Sequence, residues 1–230
     1  MFAKVVSVFL IILFATVVSS AQTTKKRVVF FGDSITELGV KENGYITKIG
    51  SLLKEKNLGD KFELIGAGVS GNKIYDLYLR LENDVLSKSP DVVVIFVGVN
   101  DIWHKRLLGT GTDYDKFGKF YEALVAKLQN AKIKVVLCTP AVIGERTDYT
   151  NEFDGDLNLY SNWIRDFAAK NGLPMVDLRK SFLDYNLKNN RENKPSGILT
   201  VDKVHLNEKG NELVAEEILK VLQKLFAAGK

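Results

Sequence analysis

The sequence predicts an α/β fold built on a doubly wound, mainly parallel sheet of about five strands, and three observations carry that prediction. Short unbroken apolar runs recur along the chain, amphipathic helical patterns separate them, and the turns after the runs collect glycine and unusual polar residues. A strand buried on both faces reads as a continuous apolar run, and strands alternating with helices select helices on both faces of one sheet.

The candidate strands are RVVFF (27–31), FELIGA (62–67), DVVVIFVG (91–98), IKVVLCT (133–139) and LPMVDL (173–178). Helical faces recur at Ile46, Ile49, Leu52 and Leu53, at Phe117, Phe120, Tyr121, Leu124 and Leu128, and at Leu157, Tyr160, Ile164, Phe167 and Ala168. A last helix carries Val214, Ile218, Val221 and Leu222. Ligands of such sheets bind outside the carboxyl ends of the strands. The turns to inspect are therefore GDSIT (32–36), GVSGN (68–72), GVNDIWH (98–104), TPAVIGERTDY (139–149) and the loop TVDKVHLN (200–207).

The amino terminus stands apart from this pattern. Lys4 gives a short positive start, Val5 to Val18 are almost wholly apolar, and VSSAQT offers small residues for a signal peptidase, so residues 1–21 read as a signal peptide cleaved after Ala21. The run is shorter than the ~20 residues of a membrane-spanning helix, which disfavours a retained anchor and stable membrane insertion after cleavage. No cysteine lies there to carry a lipid. Residues 22–230 contain no linker, repeat or low-complexity tract and fit one domain of an exported protein, periplasmic or secreted.

Charge and cysteine content narrow the function classes. The 32 basic and 28 acidic residues give a net charge of +4 and are interspersed, which is no nucleic-acid footprint. Cys138, the single cysteine, lies in an apolar run and reads as a small buried hydrophobe; no intramolecular disulfide is possible. One cysteine and two histidines leave no Cys/His metal set, and no cofactor is expected.

Nucleophilic acyl transfer needs a hydroxyl, a base, a carboxylate that orients the base, and donors where oxyanion charge develops. Both histidines follow an aspartate by three residues, as Asp202/His205 and as Asp101/His104, so spacing alone leaves the two open. Context favours His205, which sits in a non-periodic loop just before a helix. Asp33 reads as structural in its turn, and Asp101 as a hydrogen-bonding residue of its own loop.

FFGDSIT, GVSGN, GVND and VDKVHLN occur in the order and approximate spacing of the four blocks of the SGNH, or GDSL-type, hydrolases, and the chain resembles that family over nearly all of residues 22–230. The resemblance implies a flavodoxin-like three-layer fold and a serine esterase or acylhydrolase without cofactor. It implies Ser34 as nucleophile, His205 as base and Asp202 as its orienting carboxylate. The implied oxyanion hole is the backbone N–H of Ser34, that of Gly71 and the side-chain amide of Asn100. Ile35 departs from the leucine of the family's name, a hydrophobic exchange. Trp103 and His104, just past Asn100, are candidates for contact with substrate.

Two rivals are weighed against this reading. GAGVSG (66–71) matches the dinucleotide fingerprint G-x-G-x-x-G, but the acidic residue at the right distance, Asp91, begins its strand instead of ending it. A noncatalytic carbohydrate-binding relative would lose Ser, Asn or His, and this chain keeps all three. Within the resemblance, lipid and lysophospholipid hydrolysis is the alternative to small acyl esters of carbohydrates or metabolites. The loops 104–113, 141–156 and 190–201 are polar and Gly-rich and no long apolar lid is evident, so short, acetyl-like acyl groups are preferred.

Overall fold

The computed structural model describes residues 25–227; the expected signal peptide, residues 1–21, lies outside the described residues. Five strands form one sheet: β1 (Lys26–Gly32), β2 (Phe62–Gly68), β3 (Val92–Phe96), β4 (Lys134–Cys138) and β5 (Met175–Val176). Their order is β2-β1-β3-β4-β5 and every pairing is parallel. The α-helices are α1 (Ser34–Gly39), α2 (Tyr45–Glu55), α3 (Ile74–Asp84), α4 (Val99–Leu108), α5 (Tyr114–Asn130), α6 (Asp154–Asn171), α7 (Leu178–Asn189) and α8 (Glu208–Ala227). Among the described residues no helix is long and apolar enough to cross a membrane.

The apolar runs bury both faces of the sheet because successive side chains of a strand point to opposite sides. Val28, Val29, Phe30 and Phe31 are all fully buried, as are Val92 to Ile95. Consecutive residues of β1 show what covers each face. The Phe30 ring meets Tyr45 of α2 edge-on at 5.8 Å, while the Arg80 guanidinium of α3 lies 4.5 Å over the Phe31 ring. Cys138 ends β4 fully buried, and burial pushes its thiol well above the ordinary range, as befits a small hydrophobe.

Several elements depart from the sequence expectation. LPMVDL gives only a two-residue strand: Pro174, with no N–H to donate, offers its carbonyl to Leu137, and Asp177 already caps α7 by accepting the Lys180 N–H at 3.1 Å. GVNDIWH, read as a turn, instead opens α4 directly after β3, so the segment 104–108 is helical. Three more helices were not anticipated. In α3 the apolar face is only Ile74, Leu77 and Leu81 between charged residues, α7 buries Leu178, Phe182 and Asn186, and α1 is six residues long.

Candidate active site

Register brings the carboxyl ends of three strands side by side, since Gly32 of β1 pairs with both Gly68 of β2 and Phe96 of β3. Ser34, Gly71 and Asn100 lie two, three and four residues beyond these positions. Gly32 is required by close approach: a Cβ there would lie 2.3 Å from the Phe96 carbonyl oxygen. Asp33 caps α1, its carboxyl accepting the Ile35 N–H at 3.0 Å, and this makes Ser34 the first helical residue.

His205 closes the site from the other end of the chain. Its Nε2 lies 2.9 Å from Ser34 Oγ and its Nδ1 lies 2.6 Å from Asp202 Oδ2. Asp202 Oδ1 accepts the backbone N–H groups of Val204 at 3.1 Å and His205 at 2.8 Å. Partial burial works against ionisation of Asp202, but the His205 ring and these N–H groups outweigh it and hold the carboxyl below its ordinary value. The arrangement can hold Nδ1 protonated and leave Nε2 to accept the serine proton. Of the two Asp-x-x-His pairs, only Asp202/His205 is so disposed.

The other pair has a different task. Asp101 is fully buried and accepts the Ile74 N–H of α3 at 3.1 Å, so its bond crosses to another element rather than staying within its own loop, the expectation from sequence. Burial raises its carboxyl to about 6, against the lowering influence of Thr112 and the Ile74 N–H. Asp33 is buried too and raised to about 7: burial is the main cause, the Ile35 N–H opposes it, and the charge of Asp101 adds to it.

Gly71 has φ +75°, a conformation that L side chains rarely adopt, and lies three residues beyond the end of β2, the strand paired with β1. Asn100, 3 % exposed near the start of α4, donates one N–H of its amide to the Asn72 carbonyl at 3.1 Å, leaving a second N–H. Among the described residues the backbone N–H groups of Ser34 and Gly71 donate no hydrogen bond. His104 lies one turn beyond Asn100; a Cβ built on Gly71 would come 3.9 Å from its Cε1. Burial first, and the Lys73 ammonium second, lower the His104 pKa. Trp103 is half-buried, packed against the core, with its ring 5.8 Å from that of His104.

Three residues that tie the site together were not singled out in the sequence. Arg80 donates to the carbonyls of Gly32 at 2.7 Å and Ala67 at 3.0 Å and to the Asn72 side chain at 2.6 Å, joining the ends of β1 and β2 to the loop after them. Lys73, 8 % exposed, donates to the Gly71 carbonyl at 3.1 Å. Glu145 accepts three backbone N–H groups ahead of the Asp202 turn. Each is a lone charged residue among many, and only tertiary placement distinguishes it. Among the described residues no group of three His, Cys, Asp or Glu side chains is placed to hold a metal ion.

Residues 30–213 match the GDSL-like lipase/acylhydrolase family. The chain is 63% identical to a crystallised acetyl xylan esterase, AlAXEase, with a TM-score of 0.83 over 84% of this chain and 98% of that one. It is 25% identical to the acetylxylan esterase of Geobacillus stearothermophilus over 85% of this chain and 93% of the relative. Crystal structures of that Geobacillus enzyme (24% identical, covering 87% of this chain and 96% of that one, TM-scores 0.74–0.75) include catalytic mutants at a serine, an aspartate and a histidine. An uncharacterized lipoprotein of Bacillus subtilis, YqeF, is 25% identical over 73% of this chain and 76% of its own length. With a family match across most of the chain, and the fold of those esterases, the protein belongs to the GDSL-like lipase/acylhydrolase family and is an ester-hydrolysing enzyme.

Proposed function

We propose that this enzyme removes short acyl groups, acetyl foremost, from carbohydrates, through an acyl-enzyme formed on Ser34. The observation that carries the reading is the hydrogen-bonded line Asp202–His205–Ser34 at the carboxyl edge of the sheet. Ser34 Oγ attacks the ester carbonyl while His205 Nε2 takes its proton. The resulting oxyanion is met by the N–H groups of Ser34 and Gly71 and the second N–H of Asn100. Collapse breaks the C–O bond to the leaving alcohol, which receives the proton from His205. Water, deprotonated by the same nitrogen, then attacks the acyl-enzyme, releasing the carboxylic acid and restoring Ser34.

The substrate class rests on the acetyl xylan esterases that the chain resembles in sequence and fold. The catalytic-mutant set of the Geobacillus enzyme, with its aspartate and histidine three residues apart, supports the same roles for Ser34, Asp202 and His205. Trp103 and His104 form the wall of the substrate site next to Gly71. Export, periplasmic or secreted, follows from reading residues 1–21 as a signal peptide.

The test has two arms. Ser34→Ala should abolish turnover of p-nitrophenyl acetate and acetate release from acetylated xylan without altering the melting temperature. Full residual activity would remove Ser34 from the mechanism. In the wild type, rates across acyl chain lengths should fall from acetyl onwards, and a steep preference for long chains would replace the carbohydrate reading with a lipid one.

A further inference from the structure

The turn that carries Asp202 and His205 is not at rest by its own local preferences. Lys203, between them, has φ +87°, a left-handed conformation that a lysine rarely adopts and that surrounding structure must hold in place. The bonds that hold it lead to one residue in the loop after β4. Glu145, 1 % exposed, accepts through Oε1 the N–H groups of Leu199 at 2.6 Å and Thr200 at 3.0 Å, and through Oε2 that of Ile198 at 2.9 Å. Its own N–H donates to the Pro195 carbonyl at 3.0 Å, and its carbonyl accepts from the Asn190 amide at 2.8 Å.

From Thr200, the last of these three residues, and from Gly144 the connections run to the turn. The Thr200 hydroxyl oxygen accepts the Lys203 N–H at 3.2 Å, and the Gly144 N–H, one residue before Glu145, donates to the Lys203 carbonyl at 2.8 Å. Thr200 also bridges to Leu206, and the Val201 N–H donates to the His205 carbonyl at 2.8 Å. An apolar side chain at 145 could fill the same space, but it could not gather three successive N–H groups into one curvature. A carboxyl group does so with two oxygens.

We propose that Glu145 is a positioning residue: it clamps the backbone of residues 198–200 so that the strained turn at Lys203 keeps Asp202 Oδ2 on His205 Nδ1 and His205 Nε2 on Ser34. The inference rests on the acyl-transfer reading of those three residues. It predicts that loosening the clamp costs alignment, and therefore turnover, before it costs substrate binding.

Glu145→Gln keeps the size of the side chain but replaces one acceptor oxygen by a donor that faces backbone N–H. It should lower kcat on p-nitrophenyl acetate by roughly 10- to 100-fold, the scale of a misplacement near 1 Å, with KM within about twofold. Thr200→Val is the milder variant: it removes only the acceptor of the Lys203 N–H and should lower kcat several-fold in a protein that stays folded. Both losses are counted per site that a serine-reactive phosphonate can titrate, so unfolded protein does not enter. The second readout is the far-downfield proton resonance of His205 Nδ1, identified by its absence from His205→Ala, which should shift or broaden in both variants. Should Glu145→Gln fail to fold, Thr200→Val alone decides.

Wild-type kcat per titrated site together with an unmoved resonance in the folded variants would overturn the clamp. A wild-type enzyme without esterase activity, or an unimpaired Ser34→Ala, would instead sink the acyl-transfer reading, while the His205 resonance would still report on whether Glu145 holds the turn.

Discussion

Asp202 meets His205 twice, its Oδ1 accepting the backbone N–H of His205 at 2.8 Å and its Oδ2 facing the ring Nδ1 at 2.6 Å. One carboxylate thus fixes both the backbone and the ring of the same residue. The aspartate sets where the imidazole sits, and in the proposed mechanism it also holds the proton on Nδ1. The spacing of three residues is what allows this, because the side chain reaches forward over its own turn.

Asp202→Asn is expected to preserve most of that placement and to spoil the proton. An amide N–H facing Nδ1 favours the tautomer with the proton on Nε2, which can no longer accept from Ser34. The expected loss in kcat is about 10³–10⁴-fold with KM little changed. The carboxyl is held below its ordinary value in the fold, so its contribution to stability is present above that ordinary value and fades as pH falls through the lowered one. Denaturant midpoints of the variant should lose this acid-side dependence. An unaltered kcat would show that Asp202 does not orient the base.

Asn100→Ala and Gly71→Ala test the proposed oxyanion donors by different routes. Removing the Asn100 amide takes away one donor and should cost on the order of 10²–10³ in kcat. A methyl at Gly71 has room, 3.9 Å from His104 Cε1, so its cost is the backbone at φ +75°. An L-residue there costs about 1–2 kcal/mol, so Gly71→Ala should lower both stability and turnover. Stopped assays on p-nitrophenyl acetate and denaturant melts separate the two effects; an Asn100→Ala enzyme with wild-type kcat would place the oxyanion elsewhere.

How much of this was legible follows from what each residue depends on. The long buried strands were readable because both-face burial leaves Val92 to Phe96 no polar residue, whereas Gly-Asp-Ser by itself fits an ordinary turn and Ser34 stands out only through the family resemblance. The helices α1, α3, α4 and α7 were not, since α3 exposes charged residues around a three-residue apolar face and α4 begins within the functional motif itself. Spacing left the Asp202/His205 pair as one of two candidates and its loop before a helix favoured it; in the structure it is the pair whose ring nitrogen lies 2.9 Å from Ser34 Oγ. Arg80, Lys73 and Glu145 bond backbone groups far away in sequence, and a side chain's partner in that sense leaves no local pattern.

His104 offers a prediction about binding rather than bond-making. Its ring lies beside Gly71 and one helical turn from Asn100, and burial, then the Lys73 charge, disfavours its protonation. A neutral imidazole beside Gly71, at the wall of the proposed acyl site, can donate to or accept from a sugar hydroxyl. His104→Ala should raise KM for acetylated xylooligosaccharides roughly threefold or more while leaving kcat on p-nitrophenyl acetate nearly unchanged. An equal fall in kcat on both substrates would make the ring part of the transition-state contacts.

Asp33 predicts a pH dependence opposite in sign to that of Asp202. It is buried beside Ser34, and its carboxyl rises from an ordinary 3.8 to about 7. Between those values the folded chain holds a proton that the unfolded chain has released, so stability falls as pH rises and the loss is complete above about 7. Asn at this position keeps the cap on the Ile35 N–H and has no proton to lose. The stability of Asp33→Asn relative to wild type should therefore improve by on the order of 2–3 kcal/mol between pH 5 and pH 8, at about 1.4 kcal/mol per tenfold change in proton affinity. Urea melts at the two pH values measure it directly. If the difference between the two proteins stays the same at both, burial does not hold the Asp33 proton, and the carboxylate is stabilised in place by influences that lower it, the Ile35 N–H first and the Arg80 charge among the others.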